Sequence, residues 1–417
     1  MSLSSDATPF SSLLDAPAPR QLRGISSEGE IPEGVTVREL VFESLIPSPD
    51  ASEPLRRNEV YAIVAAPVGE GPFPGILLLH GGMGHADRAE ALSWAAKGYV
   101  VVAPDLPGIA DVEKAPHSRG EWTKLPYGAN RWLVDPNVSH SSIFQGITAA
   151  VQAFALLRED GRVDASRLGV TGTSWGGYST TMVCGLLGPR VRAAFSNYGA
   201  GFYEHTTFAE ALGATPSLKE PWLSALDAGR RASGIAASFF IAGATNDTFF
   251  YPPAVEKTLA AIPKETNRVH APNAHHELPI PGGVNVCGGS AAMAAEWFAW
   301  HLRGEGAPFP SARVLAVTEA LQSARFKVSS STEPSAVSVW WSFPAADDKW
   351  PQRVWKEAPV ESCGDAEYQA CLPQEALQSG TAWFALVSEA RGVSVSTPMQ
   401  IFVQAPHGLE LRPLAQV

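Results

Sequence analysis

Apolar and polar positions follow two different periods along the first three quarters of the chain. "VTVRELVFES", starting at Val35, alternates as a half-buried strand does, and "NEVYAIVA" at 58–65 repeats the pattern. Ile76, Leu77, Leu78 and Leu79 form a continuous apolar run, which predicts a central strand buried on both faces and ending in "HGGMG". "RAEALSWAAKG" then predicts a helix closed by Gly98, and "YVVVAPDLPG" another buried strand. Residues 109–141 carry little periodicity. Ile143, Ile147, Val151, Phe154 and Leu157 restore helical spacing. "VDASRLGVTGTSWGG" reads as strand, sharp turn and helix. "VRAAFSNYG" and "ASFFIAGATND" are two further strands, with an irregular stretch at 202–235 between them. "NRVHAPNAHH" gives a last strand and its exit loop, and a helix over 290–303 closes the series.

Strands alternating with helices predict an α/β domain over residues 35–305, with a doubly wound, mostly parallel sheet. Residues 1–34, rich in Ser, Pro and Ala, read as an extended lead-in. After "GEGAPFP" the texture changes to short strands without helical partners, so residues 311–417 predict a smaller β-sandwich. Five of the twelve tryptophans fall here: Trp340, Trp341, Trp350, Trp355 and Trp383. They fill a core or an interdomain face, or they form a sugar-binding platform.

The length of 417 residues exceeds what one core usually holds, in keeping with two domains. The net charge of -11, with no basic run, argues against a nucleic-acid partner. No apolar stretch is long enough for a membrane span, and the first 20 residues lack the basic start and apolar core of a signal peptide. The chain reads as intracellular, or as exported with its signal already removed. Cys184 and Cys287 stand alone; Cys363 and Cys371 either pair across a short hairpin or remain thiols. No Cys/His spacing resembles a zinc site, and nothing implies a cofactor.

The chemistry centres on "TGTSWGGYS" at 171–179. Gly-x-Ser-x-Gly between a buried strand and a helix predicts a nucleophile elbow presenting Ser174. A serine hydroxyl needs a base to take its proton, and the base needs an acid to fix its tautomer. In open α/β sheets such groups leave the C-terminal ends of strands. Asp247 follows "SFFIAG", and His275 and His276 follow the next strand, giving the order serine, acid, histidine. Asp227 is a fallback acid, while Asp105 reads as a structural turn residue. Charge developing on a carbonyl oxygen needs two preset N–H donors. Those are the amides of Trp175, just after the serine, and of Gly82, in the loop after His80. His80 itself reads as a structural hydrogen bonder. Glu277, beside the histidine pair, tunes it or is simply solvated. Trp122, Tyr127 and Trp132 line a cleft or pack under a long loop.

With "HGGMG", "VVAPDLPG", "VDASRLGVTGTSWGGY", "GATND" and "PNAHH", residues 35–305 resemble the α/β-hydrolase superfamily. Within it the chain looks most like the group of acetyl xylan esterases, dienelactone hydrolases and prolyl-oligopeptidase-like enzymes. The resemblance implies Ser174 as nucleophile, Asp247 as acid, His276 rather than His275 as base, and Gly82 and Trp175 as oxyanion donors. The doubled histidine departs from the family pattern. The C-terminal part resembles the immunoglobulin-like appendages of some such esterases.

These readings predict a serine carboxylester hydrolase acting on small acyl esters, such as acetyl groups on carbohydrates, without metal or cofactor. A prolyl-oligopeptidase-like peptidase is a second reading, but the roughly 35 to 75 residues before the strand at Ile76 are too few for the gating propeller such enzymes commonly carry. A binding module with a vestigial hydrolase domain is a third; an intact set of Ser174, Asp247 and His276 argues against it. Oligomeric state is not legible in the sequence.

Overall fold

The computed structural model describes residues 8–276, 292–315 and 322–417, together with the backbone of two short strands at 279–280 and 284–285. Glu277 and Cys287 lie outside the described residues.

A nine-stranded sheet organises the first part. Its strands are β1 (Gln21–Ile25), β2 (Val35–Ile46), β3 (Arg56–Pro67), β4 (Phe73–Leu79), β5 (Val100–Pro104), β6 (Val163–Thr173), β7 (Ala193–Asn197), β8 (Ser238–Ala244) and β9 (Thr266–Ala271). Their spatial order is β1-β2-β3-β5-β4-β6-β7-β8-β9. The pairs from β5 through β9 are parallel, and β1, β2 and β3 add an antiparallel edge. The central strands are buried along their length because helices cover both faces, as their unbroken Val, Ile, Leu and Ala runs require. The long helix Ser142–Arg158 lies on one face, with Ile143, Ile147, Val151, Phe154 and Leu157 all buried. Arg88–Ala96 lies on the other, its N-terminus capped by Asp87, which accepts from the Glu90 N–H.

Two expectations change. Residues 1–34 do more than lead in: β1 pairs with β2, and Phe10 is buried, stacking on Phe144 at 4.4 Å. The irregular stretch at 202–235 contains helices Ala209–Gly213 and Pro216–Leu226. Pro221 inside the second blurs its helical signature.

After residue 310 the chain builds two antiparallel sheets. One orders Ser311–Val314, Ser323–Ser329, Glu367–Cys371 and Val360–Gly364. The other orders Lys356–Ala358, Ala336–Ser342, Ala382–Ser388, Gln400–Ala405 and Gly408–Pro413, with Ser394–Ser396 paired to Ala382–Ser388. Phe326, Val328 and Ala370 of the first share a core with Val339, Phe384 and Val387 of the second. Cys363 and Cys371 are free. Register explains this: Val360 pairs with Ala370 and Gly364 with Glu367, so the two cysteines sit at opposite ends of their hairpin.

The two parts share a core. One apolar cluster runs from Phe240, Val269 and Ala271 of the nine-stranded sheet into Trp355, Trp383 and Phe384. Polar contacts reinforce it. Buried Glu256 holds Arg268, His270 and the Met399 N–H, and Arg391 reaches Glu296 and the Ala307 carbonyl. Burial opposes the charge on Glu256, but Arg268 and His270 outweigh it and hold the carboxyl below its ordinary range.

Candidate active site

Strand β6 ends at Thr173 and the helix Trp175–Leu187 begins two residues later, so the whole reversal falls on Ser174. Its backbone sits at φ 59° and ψ -117°, a strained conformation for an L-residue. The turn is held by the Ser174 N–H donating to the Asn197 carbonyl at 2.9 Å. Two glycines make it possible. A Cβ on Gly172 would lie 2.5 Å from the Gly176 carbonyl oxygen, and one on Gly177 would lie 2.6 Å from that of Asn197.

Asp247 and His276 reach the same place from the ends of β8 and β9. The Asp247 side chain is fully buried, and one of its oxygens accepts from the Phe249 and Phe250 N–H groups at 2.7 and 2.9 Å. Both its oxygens face Nδ1 of His276, at 3.0 and 2.9 Å. The opposite ring nitrogen, Nε2, stands 2.8 Å from Ser174 Oγ. These partners set the tautomer: Nδ1–H donates to the carboxylate, leaving Nε2 free to accept from the serine hydroxyl. Edge-on rings hold the imidazole, Tyr198 at 4.4 Å and Phe249 at 4.7 Å between centroids. The arrangement can take a proton from Ser174 and return it to a leaving group.

His275 points elsewhere. It is exposed, and its Nδ1 donates to the Asn246 carbonyl at 3.3 Å. Asp227, the fallback acid, accepts from the Phe202, Tyr203 and Gly229 N–H groups and touches no histidine. Burial raises its pKa to about 6. Asp105 is likewise structural, accepting from the Ala86 N–H and the Ser118 hydroxyl; burial raises its pKa too.

The loop after β4 lies against the elbow. A Cβ on Gly81 would be 3.5 Å from the Ser174 Cβ, and one on Gly82 would be 2.8 Å from the Trp175 ring. Trp175 opens its helix, where the amide N–H has no helical acceptor. His80 fastens the loop: Nδ1 donates to the Gly81 carbonyl at 2.8 Å, and Nε2 accepts from the Leu106 N–H at 2.9 Å. Burial lowers its pKa to about 4, so the ring stays neutral and can do both.

The aromatic trio separates. Trp122 packs with Ala110 and Ala115 away from the elbow. Trp132 joins Trp175, Tyr203, Phe208 and Trp222 in one ring cluster. Tyr127 is 41% exposed and brings its hydroxyl to Gly82. The flanking rings Tyr198, Phe249 and Phe250 were not singled out in the sequence, although Phe249 and Phe250 follow Asp247 directly. Among the described residues no group of His, Cys, Asp and Glu could hold a metal ion, and no helix is long and apolar enough to cross a membrane.

The family model for acetyl xylan esterase (AXE1) matches residues 52–203, the segment that carries Gly82, Ser174 and Trp175. Acetyl xylan esterase 1 from Thermoanaerobacterium sp. JW/SL YS485 is similar in structure, with a TM-score of 0.52 and 20% identity over 66% of this chain and 88% of that one. An acetyl xylan esterase from Paenibacillus sp. R4 has a TM-score of 0.50 and 18% identity over 64% of this chain and 86% of that one. No curated protein matches the sequence. The two structures show the α/β-hydrolase fold, and the family match places the chain among the carboxylic ester hydrolases.

Proposed function

We propose that this esterase removes small acyl groups, acetyl above all, from carbohydrate esters through an acyl-enzyme on Ser174. The observation that carries the reading is the hydrogen-bonded chain from Ser174 Oγ through the His276 ring to buried Asp247. As His276 Nε2 takes the hydroxyl proton, Oγ attacks the ester carbonyl. Asp247 stabilises the imidazolium that forms and keeps its orientation. The carbonyl oxygen, now negative, is met by the Gly82 and Trp175 N–H groups. His276 then gives that proton to the departing sugar oxygen as the acyl C–O bond breaks, and water, activated by the same ring, attacks the acyl-enzyme and releases the acid. The chemistry needs no cofactor.

Support for acetyl on sugar comes from the acetyl xylan esterase model over residues 52–203. The test is a series of p-nitrophenyl esters from C2 to C12 beside acetylated xylan. The expected result is highest kcat/KM on the C2 ester and release of acetate from the polysaccharide. A preference for long chains, or no acetate released, overturns the substrate assignment.

A further inference from the structure

The loops that carry Asp247 and His276 are each tied by an asparagine to one segment of the C-terminal part, residues 351–355. Asn246, next to Asp247, is buried, and its Nδ2 donates to the carbonyls of Pro351 at 3.0 Å and Arg353 at 2.5 Å. Asn273, three residues before His276, exchanges two bonds with the Trp355 backbone. Its Nδ2 donates to the carbonyl, and its Oδ1 accepts from the N–H, both at 2.9 Å. The two loops are also cross-linked. The Asn246 N–H donates to the Ala274 carbonyl at 3.0 Å, and the Asn273 N–H donates to the Thr245 hydroxyl at 2.8 Å. That hydroxyl in turn donates to Asn246 Oδ1 at 2.7 Å.

The segment at the other end is anchored by Arg353 and Trp355. Arg353 is 2% exposed, stacks over the Trp350 ring at 3.9 Å, and donates to the Gly380 carbonyl and to Asp348. Trp355 is buried edge-on against Phe384 at 5.2 Å. The two parts also meet away from the asparagines, through the shared apolar cluster and the Glu256 and Arg391 contacts. Among the described residues, the asparagine side chains hydrogen-bond the acid loop and the base loop to one backbone segment.

We propose that residues 351–355 are a positioning element of the active site, setting the spacing of Asp247 and His276 through Asn246 and Asn273. The proposal rests on the roles given above to Ser174, His276 and Asp247. Neither asparagine side chain bonds to Ser174, Asp247 or His276; in this proposal each acts through its neighbour. A displacement of the base by about 1 Å is enough to cost on the order of 100-fold in rate.

The experiment uses the full chain. Asn246→Ala and Asn273→Ala are measured on p-nitrophenyl acetate against wild type, Ser174→Ala and Arg391→Ala. The expected result is a kcat lower by about 10-fold to 100-fold in each asparagine variant, a KM within about 3-fold of wild type, and a shifted acid limb of the pH–rate profile. Arg391→Ala, which loosens the same interface away from the loops, is expected to lower Tm and leave kcat and the profile in place. Asn246→Asp and Asn273→Asp keep the side-chain volume and the Oδ acceptor but lose the donor. They give the same readout if an alanine variant does not fold. Wild-type kcat and pH profile in folded asparagine variants, with Ser174→Ala inactive, overturn the positioning role and leave the esterase reading intact. An active Ser174→Ala overturns the esterase reading itself. A loss in Arg391→Ala equal to that in the asparagine variants means that any loosening of the interface acts alike, which also overturns the proposal.

Discussion

The Nε2 of His276 lies 2.8 Å from the Oγ of Ser174, a residue 102 positions earlier in the chain. Ser174 is held at positive φ by the elbow, so its hydroxyl has little freedom to leave the ring. Ser174→Ala is therefore expected to fold normally and to lose on the order of 10⁴-fold or more in kcat. A phosphonate or sulfonyl fluoride should label Ser174 alone, read by peptide mass. More than a tenth of wild-type turnover in the variant would remove Ser174 from the mechanism.

The paired histidines should separate cleanly. His276 faces both Ser174 and Asp247, whereas His275 is exposed and, among the described residues, bonds to the Asn246 carbonyl. His276→Ala is expected to abolish activity. His275→Ala is expected to retain a substantial fraction, because its bond to a carbonyl at 3.3 Å is long and exposed. Rates of p-nitrophenyl acetate hydrolysis at one pH decide it. Reversed effects would move the base to His275.

The elbow was legible because its physical demands are local: a buried strand, glycines where backbone approaches closely, and a helix. Gly172 and Gly176–Gly177 print that demand in the sequence. The choice of His276 over His275 came from a family likeness, since periodicity says nothing of which ring turns inward. What Asn246 and Asn273 bond to was not legible. Both stand inside motifs that carry the family likeness, "GATND" and "PNAHH", but their partners at 351–355 lie 80 or more positions away. Strand β1 escaped for another reason. It is an edge strand whose residues are exposed or half-buried, so it lacks the apolar alternation that marks a strand facing a core.

His80 gives a pH-dependent expectation. Its folded pKa is lowered by burial from 6.5 to about 4, so the unfolded chain binds the proton more readily. The stabilisation is fully present above pH 6.5 and is lost as the pH falls toward about 4. The size of the shift corresponds to on the order of 3 kcal/mol at the acid end. Asp227 works in the opposite sense, because its raised pKa favours the folded state as the pH falls. The comparison must therefore be between wild type and His80→Gln, which share Asp227. The variant is expected to be less stable at pH 7.5 through its altered bonds to Gly81 and Leu106, with the difference in Tm narrowing toward pH 5. A difference that stays constant or widens would mean that His80 is not held neutral by folding.

The C-terminal tryptophans bear on what the second part of the chain does. Four of the five, Trp341, Trp350, Trp355 and Trp383, are at most 7% exposed, so their rings are not offered to a polysaccharide; Trp340 is half-buried and donates to the Ser338 hydroxyl. They pack, and Trp355 packs at the join with the nine-stranded sheet. Trp383→Ala is expected to cost about 3–5 kcal/mol, the range for removing a large buried aromatic. The ratio of kcat/KM on acetylated xylan to that on p-nitrophenyl acetate should stay unchanged, since both substrates use the same site. The join also bears on a chain cut near residue 308. Cutting there strips the cover from Val269 and Ala271 and leaves Asn246 and Asn273 without their backbone partners. The shortened chain should be poorly soluble, and any folded fraction should turn over p-nitrophenyl acetate at least about 10-fold more slowly than the full chain. Circular dichroism and active-site titration with a phosphonate would count the folded sites. Full turnover per titrated site would show that the first part builds its site unaided. A selective loss on the polymer after Trp383→Ala would restore the sugar-binding reading.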